Sequence, residues 1–117
     1  MALQSLVIEF GVGTDIRGGD YTKAAKRAVD NAIRRNSVSV ADAFGKPREE
    51  MRITVAIGVA KPEQVDKAAV AAMLPYGEVE VEVMAGGLDI PHDSRAEITV
   101  MANATVTVFL DLPDRVV

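Results

Sequence analysis

Residues 6–33, LVIEFGVGTDIRGGDYTKAAKRAVDNAI, pass from a strand pattern through a glycine-rich segment into a helix pattern. The apolar residues of LVIEF alternate, which predicts a half-buried strand that stops at the glycines. From Tyr21 onwards apolar residues recur every three or four positions, which predicts a long amphipathic helix with Asp20 as its N-cap. The basic and amide side chains at 34–36 suit the C-terminal end of that helix.

A second strand and helix follow later in the chain. The apolar residues of ITVAIGV, residues 53–59, alternate and predict a strand. Apolar spacing then predicts a helix from Pro62 to about Leu74, because proline suits a first helical turn and Pro75 with Gly77 ends the pattern.

The two strand–helix units resemble each other in sequence. Both carry Gly-Val near the strand end and Lys-Ala-Ala in the helix, which indicates pseudo-repeats over about 4–36 and 52–74. The intervening residues 37–50 break both periodicities and are predicted to form a loop with one helical turn. The first unit carries three extra residues within TDIRGGD, and an insertion in one copy is a place to look for function.

The last third of the chain is strand-rich. EVEVEVM, from Glu78, alternates glutamate with valine, and every second residue from Ile98 to Leu110 is apolar. At about 3.3 Å per residue the second of these strands would exceed 40 Å, so part of it must bend away or pair elsewhere.

These elements predict a single α+β domain over residues 1–117 with the order β-α-β-α-β-β. Its four-stranded mixed sheet carries two helices on one face, forms a two-layer sandwich, and ends in a hairpin around AGGLDIPHDSRA, residues 85–96. The uncovered sheet face, with Ala56, Met101 and Phe109, is expected to pack against another copy of the chain.

Composition limits the classes of partner. The net charge of -4 argues against non-specific binding to nucleic acid, which needs a surplus of lysine and arginine. No apolar run approaches the ~18 residues of a membrane span, and the N-terminal residues read as a first strand. The chain has no cysteine, which fits a reducing compartment. We therefore expect a soluble cytoplasmic protein with no nucleic-acid or membrane partner and no cofactor.

Two glycine-containing loops carry the candidate ligand-binding residues. Their mixed charges suit a small polar or zwitterionic molecule, bound where the loops meet at or near a subunit interface. The candidates are Asp15, Arg17, Gly18, Gly19, Asp20 and Lys23 from the first loop, and Gly86, Gly87, His92 and Asp93 from the second.

An alternative gives these residues structural roles only. The glycines would supply turn dihedrals, Asp20 would cap the helix, and PHDS would be a turn with a solvated histidine. The dinucleotide-binding motif fails because Ile16 stands where its third glycine is required, and no Gly-Lys-Ser/Thr follows. No fixed ligand spacing supports a metal site, so none is predicted. The basic helix face is expected to be solvated rather than a surface for an acidic partner.

The order of elements resembles the bacterial chorismate mutase-like fold, whose members often form trimers with ligand sites between subunits. More specifically, VIEFGVGTDIRGGDYTKAAKRAVDNAIRRNSVS with the later VAIGVAKPEQVD and VMAGGLDIPHD resembles a family of small bacterial proteins first catalogued as a conserved hypothetical protein of Listeria. The likeness covers nearly the whole chain and implies no established reaction.

A more distant likeness joins AGGLDIPHD to the SGGTEG..SPH segment of ring-opening amidohydrolases such as cyanuric acid hydrolase. Where those enzymes have a nucleophilic serine, this chain has Ala85, which has no oxygen to attack with. The expected function is thus a homo-oligomer, a trimer or a multiple of one, that binds a small polar metabolite, either as an amide or ring-opening type of enzyme or as a non-catalytic assembly or ligand-sensing protein.

Overall fold

A computed structural model describes residues 2–34 and 40–113 of the chain. Single turns of 3-10 helix cover Arg48–Glu50 and Pro62–Gln64. The main elements in chain order are β1 (Ala2–Asp15), α1 (Tyr21–Ile33), α2 (Val40–Ala43), β2 (Arg52–Val59), α3 (Lys67–Ala71), β3 (Glu78–Ala85), β4 (Leu88–His92) and β5 (Arg95–Leu112).

The strand β5 organises a mixed five-stranded sheet. It pairs antiparallel with β1 along nearly its whole length on one side, and with β2 and β4 in succession on the other. β3 lies outside β2 and runs parallel to it. The 18-residue β5 sets the long dimension of the molecule, 59 Å. This pairing with different partners explains how one alternating segment can be so long.

Both main helices pack on one face of the sheet. α1 contacts β1, β5 and β2, and α3 contacts β3 and α1. The inward side chains of β2 and β5 and the alanine-rich face of α1 form one buried cluster that includes Val29, Val55 and Val106. The opposite face of the sheet, called the open face below, has no helix on it in the described part of the chain. The two-layer α+β arrangement predicted from the pattern is therefore confirmed.

Three predictions about the elements are wrong: the end of the first strand, the continuity of the second helix and the number of strands. The first strand does not stop at the glycines but continues to Asp15, because Gly11 and Gly13 are strand residues over which α1 packs. A Cβ on either glycine would lie less than 3.0 Å from backbone atoms of α1. Glycine here serves close strand–helix contact and does not supply a turn.

The second predicted helix is broken. A 3-10 turn covers Pro62–Gln64, Val65 is extended and buried, and α3 starts only after Asp66, whose carboxylate accepts a hydrogen bond from the backbone N–H of Ala69 at 3.2 Å. The aspartate caps a new helix and so ends the continuous pattern at that point.

The sheet has five strands rather than four, because β4 forms within the predicted hairpin loop. Gly87 has a φ of 58° and turns the chain after β3. The next residues form β4, which pairs antiparallel with β5. In the predicted loop 37–50, residues 40–43 form α2 and 48–50 form a 3-10 turn. The predicted helix end at 35–36 and the loop residues 37–39 lie outside the described residues. No helix in the described ranges is long and apolar enough to cross a bilayer.

Candidate functional site

The C-terminal ends of β1, β2 and β3 lie at the same end of the sheet. β1 and β2 are both antiparallel to β5, and β3 is parallel to β2, so these three strands run in one direction. Ligands of α/β sheets bind beyond the carboxyl ends of such strands. Asp15 ends β1 here, α1 begins here, and β4 lies alongside on the far side of β5.

Asp15 holds the first loop together. The residue is only 5% exposed, and its Oδ2 accepts a hydrogen bond from the backbone N–H of Asp20 at 2.8 Å. The ammonium of Lys23 lies 3.8 Å from its Oδ1. A Cβ on Gly18 would come within 2.7 Å of Oδ2, so a side chain at this position would force the carboxylate to shift. The buried charge is therefore paired with a donor and a cation.

The start of α1 has the predicted cap. The Asp20 carboxylate accepts from the backbone N–H of Lys23 at 3.1 Å. Gly19 has a φ of 62°, which is the left-handed region that glycine enters without strain. Arg17 is exposed, and Arg27 donates to the carbonyl of Thr14 at 2.6 Å. The structural roles weighed for Gly19 and Asp20 are thus present.

A buried tyrosine joins the helix to the second loop. The Tyr21 hydroxyl, at the first position of α1, donates to Oδ2 of Asp89 in β4. The other carboxylate oxygen, Oδ1, is buried and has no hydrogen-bond partner among the described residues. Buried carboxylate oxygens are normally hydrogen-bonded, so this atom is an acceptor in need of a donor.

A second link between the loops passes through Thr99 of β5. The Thr99 hydroxyl donates to the carbonyl of Ile16 at 3.0 Å, and Nε2 of His92 lies 3.0 Å from the same oxygen. The hydroxyl has one proton, which goes to Ile16, so Nε2 of His92 is the donor in the second contact. This histidine therefore does not act as a base towards Thr99.

The remaining candidates of the second loop are placed differently. Gly86 packs against Gly58, with its prospective Cβ 3.1 Å from the Gly58 Cα, at a shallow depression of about 270 Å³ on the open face. Asp93 is exposed in the turn between β4 and β5. In the described ranges no three His, Asp or Glu side chains are grouped to hold a metal ion.

The comparisons with known proteins concern nearly the whole chain. A model of a family of conserved hypothetical proteins, Lin0512, matches residues 5–108. The chain belongs to this family. A comparison with curated proteins found no match.

The Lin0512 chain is similar to a crystal structure of an FtsZ-like protein of unknown function from Nostoc punctiforme PCC 73102. The two are 36% identical, and the superposition has a TM-score of 0.82 and covers 96% of this chain and 99% of that chain.

In this Lin0512 protein, the two predicted loops are joined through Thr99 and through the hydrogen bond of Tyr21 with Asp89. Asp15, Asp20 and Lys23 form one cluster, and His92 reaches Ile16 of the first loop through Thr99. Gly86 and Gly87 shape the crossover from β3 to β4. One cavity of about 580 Å³ is at the opposite end of the sheet, beside Arg52 and Phe109, and another of about 460 Å³ is lined by Asp20, Lys23 and Arg27.

Sequence reasoning missed Tyr21 and Asp89 as site residues of the Lin0512 chain. The helical spacing predicts only a core position for Tyr21. The two residues are 68 positions apart, so no local pattern links them. The available signal was an aromatic residue with a polar tip directly after an N-cap, since a buried tyrosine hydroxyl needs a partner.

The Tyr21 hydroxyl gives the Lin0512 chain an expected alkaline response. Burial, the hydrogen bond to Asp89 and the negative charges of Asp89 and Glu63 raise the pKa of Tyr21 from 10.0 to about 12. The folded state thus keeps a proton that the unfolded state loses. The contribution to stability is complete below pH 10 and is lost as the pH rises towards 12, by at most about 2 kcal/mol after allowance for solvent screening.

Urea unfolding at pH 9 and pH 11.5 measures this loss. The wild-type free energy of unfolding should fall more steeply between these two pH values than that of Tyr21→Phe, which has no phenol to titrate at this position. Parallel pH profiles of the two proteins would show that Tyr21 is not the group concerned.

Proposed function

We propose that this chain forms a cytoplasmic homo-oligomer that binds a small polar metabolite at the C-terminal end of its sheet, at or near a subunit interface. The observation that carries the proposal is the contact of the two loops through Tyr21 and Asp89, which leaves Oδ1 of Asp89 buried without a donor among the described side chains. Bound ligands commonly satisfy such a group in functional sites.

The charges around the loops define the ligand class. Asp89 and Glu63 surround the Tyr21 hydroxyl with negative potential, which favours an ammonium, amidine or amide N–H donor. The ammonium of Lys23 is about half exposed and lies 3.8 Å from Asp15. It would bind the negatively charged end of the ligand. A zwitterionic or otherwise bipolar metabolite complements this pair of charges.

Between an amide or ring-opening enzyme and a non-catalytic ligand-sensing protein, we favour the second. The Thr99 hydroxyl beside His92 is occupied by the Ile16 carbonyl, so this pair lacks the hydrogen-bond direction of a nucleophile and its base. Ala85 stands at the position of the serine in the amidohydrolase segment. Both observations favour binding without covalent chemistry.

The finer assignment to the chorismate mutase-like fold, with a trimer or a multiple of one as the assembly, is also part of the proposal. Its support is the mixed sheet with both main helices on one face and an open face that another subunit can cover. Members of that fold often bind ligands between subunits, which agrees with the site proposed here at the C-terminal end of the sheet, at or near a subunit interface.

A thermal-shift panel tests the binding proposal. The panel would contain amino acids, cyclic amides and imides, hydroxy acids and methylguanidine, applied to wild type and to Asp89→Asn. A ligand present at 100 times its Kd adds about 2.7 kcal/mol to the free energy of unfolding, which corresponds to roughly 10 °C in Tm. We expect a bipolar N–H donor to stabilise the wild type and to lose at least tenfold in affinity in Asp89→Asn.

Asp111→Asn is the matched control, because Asp111 is an exposed aspartate of β5 at the opposite end of the sheet. This variant should respond to ligands as the wild type does. A panel without any stabilising compound, or equal stabilisation of Asp89→Asn, would overturn the proposal.

A further inference from the structure

The open face of the sheet carries a group of exposed apolar side chains. Phe10 is 63% exposed, and Ile8 and Val12 on the same strand are each 54% exposed. Leu88 and Ile90 of β4 continue the surface on the far side of β5, since Leu88 pairs with Met101, which also pairs with Thr14 of β1. We call these five side chains, Ile8, Phe10, Val12, Leu88 and Ile90, the β1–β4 patch.

A patch of this composition needs a cover. Monomeric proteins scatter single exposed apolar residues, but contiguous groups of large ones mark interaction sites. Met101 of β5, which pairs with both Leu88 and Thr14, lies between β4 and β1 and joins the two parts of the patch, because adjacent strands lie about 4.8 Å apart. The patch therefore indicates a face-to-face contact with an apolar surface.

The acidic side of the same face restricts how the contact is made. Glu78, Glu80 and Glu82 of β3 are all exposed and point to the open face, opposite the half-buried valines of that strand. Stacking β3 on β3 would place like charges together, and stacking β3 on β1 would bury glutamates against Phe10. A copy of this sheet can cover the patch only with β3 of both copies outside the contact.

The outer edge of β1 is less suited to a partner than its face. The backbone N–H of Val12 donates to Oδ1 of Asn31 in α1 at 3.1 Å. A strand added at this edge would have to displace that side chain, and edges protected in this way resist strand addition. The face is the surface that remains available.

The available area reaches the lower limit for a specific contact. Thirteen residue pairs join β1 to β5. At about 3.4 Å per residue and 4.8 Å per strand, these two strands present roughly 45 by 10 Å, and β4 adds to it. About 500 Å² of flat sheet per copy gives a total near the 1,000 Å² that specific interfaces exceed, before protruding side chains are counted.

We propose that the open face is covered by a second copy of this chain, with the β1–β4 patches of the two copies packed on each other and both β3 strands outside. The proposal rests on the homo-oligomer proposed above but departs from its trimer, because patch-to-patch packing pairs chains and so allows a dimer or, among multiples of a trimer, only an even one. Leu88 and Ile90 flank Asp89 in β4, so the partner copy lies directly beside the strand that carries the proposed ligand acceptor.

Sedimentation velocity across 1–100 µM tests this contact. The wild type should sediment at twice the 12.5 kDa chain mass or at a larger even multiple, because a patch-on-patch contact pairs chains. Phe10→Asp buries a charge in the contact and should raise the dissociation constant of the pair at least 100-fold, which yields single chains at micromolar concentration.

Two control variants make the result specific. Phe44→Asp changes a phenylalanine of similar exposure, 50%, that lies outside the sheet, and Glu80→Lys reverses a charge on β3. Both should keep the wild-type mass. Circular dichroism must show that Phe10→Asp is folded, and Val12→Lys replaces it if it is not.

A wild type that is a single chain at 100 µM, a mass of three chains, or a folded patch variant with the wild-type mass would each overturn the proposal. These outcomes are separate from those of the ligand test. That test compares the wild type with Asp89→Asn in whichever oligomeric state the chain adopts, so either proposal can fail alone.

Discussion

Replacement of Gly13 by alanine should lower the free energy of unfolding by about 3–5 kcal/mol. A Cβ at this position would lie less than 3.0 Å from backbone atoms of α1, at Ala24, Arg27 and Ala28. Backbone atoms of a helix cannot rotate away as a side chain can, so α1 must shift away from β1 and lose packing along the alanine-rich face of the core.

The clash and the backbone effect of alanine change the free energy of unfolding in opposite directions. Gly13 has no positive φ, so without the clash the alanine would stabilise the protein by about 0.4–1 kcal/mol, because it restricts the unfolded chain. Denaturant unfolding of the variant at pH 7 decides between the two signs. A stable Gly13→Ala protein would mean that α1 does not lie as close to β1 as described.

Gly45→Ala provides the matched control for the glycine substitution. Gly45 has a φ of 66° but no atom within 4 Å of a prospective Cβ, so its replacement costs backbone conformation alone, about 1 kcal/mol. The difference between the two variants isolates the contribution of the strand–helix contact.

Tyr21→Phe should lower the free energy of unfolding by about 3 kcal/mol at pH 7. The substitution keeps the ring in the core but removes the donor to Oδ2 of Asp89, whose Oδ1 is already without a partner in the described residues. Leaving a half-buried carboxylate without this donor costs more free energy of unfolding than the lost hydrogen bond alone.

A double-mutant cycle separates that cost from simple loss of packing. Asp89→Leu combined with Tyr21→Phe removes both polar partners and should recover most of the stability lost in Tyr21→Phe alone. Tyr76→Phe removes the hydroxyl of the other tyrosine, whose ring lies 5.1 Å from the Arg48 guanidinium, and should cost less than about 1 kcal/mol. Additive effects in the cycle would argue against a coupled Tyr21–Asp89 pair.

The local features of the fold could be predicted because they leave a local pattern. Asp20 caps α1 as expected, and the alternation from Ile98 to Leu110 lies within one strand. Gly11 and Gly13 misled the prediction, because glycine for close packing and glycine for a turn look the same in one sequence. The extent of β1 depends on α1 lying over it, which is a tertiary contact.

The candidate site could likewise be predicted in part. The meeting of the two loops is a hypothesis motivated by the insertion in the first strand–helix unit, and the contacts of Thr99 with Ile16 and His92 join these loops. The pairing of Tyr21 with Asp89 could not be predicted, since it depends on β4, a strand of five residues inside a segment that reads as a turn. Whether the loops bind a ligand stays a prediction.

The central position of β5 has a consequence for how the chain folds. β5 follows every other element in the sequence, yet β1, β2 and β4 are all hydrogen-bonded to it. During synthesis the earlier strands emerge without the partner that joins them, and their pairing must wait for residues near the end of the described chain. Such distant contacts slow folding and prolong the exposure of unpaired strands, so we expect newly made chains to depend on chaperones before β5 is released from the ribosome.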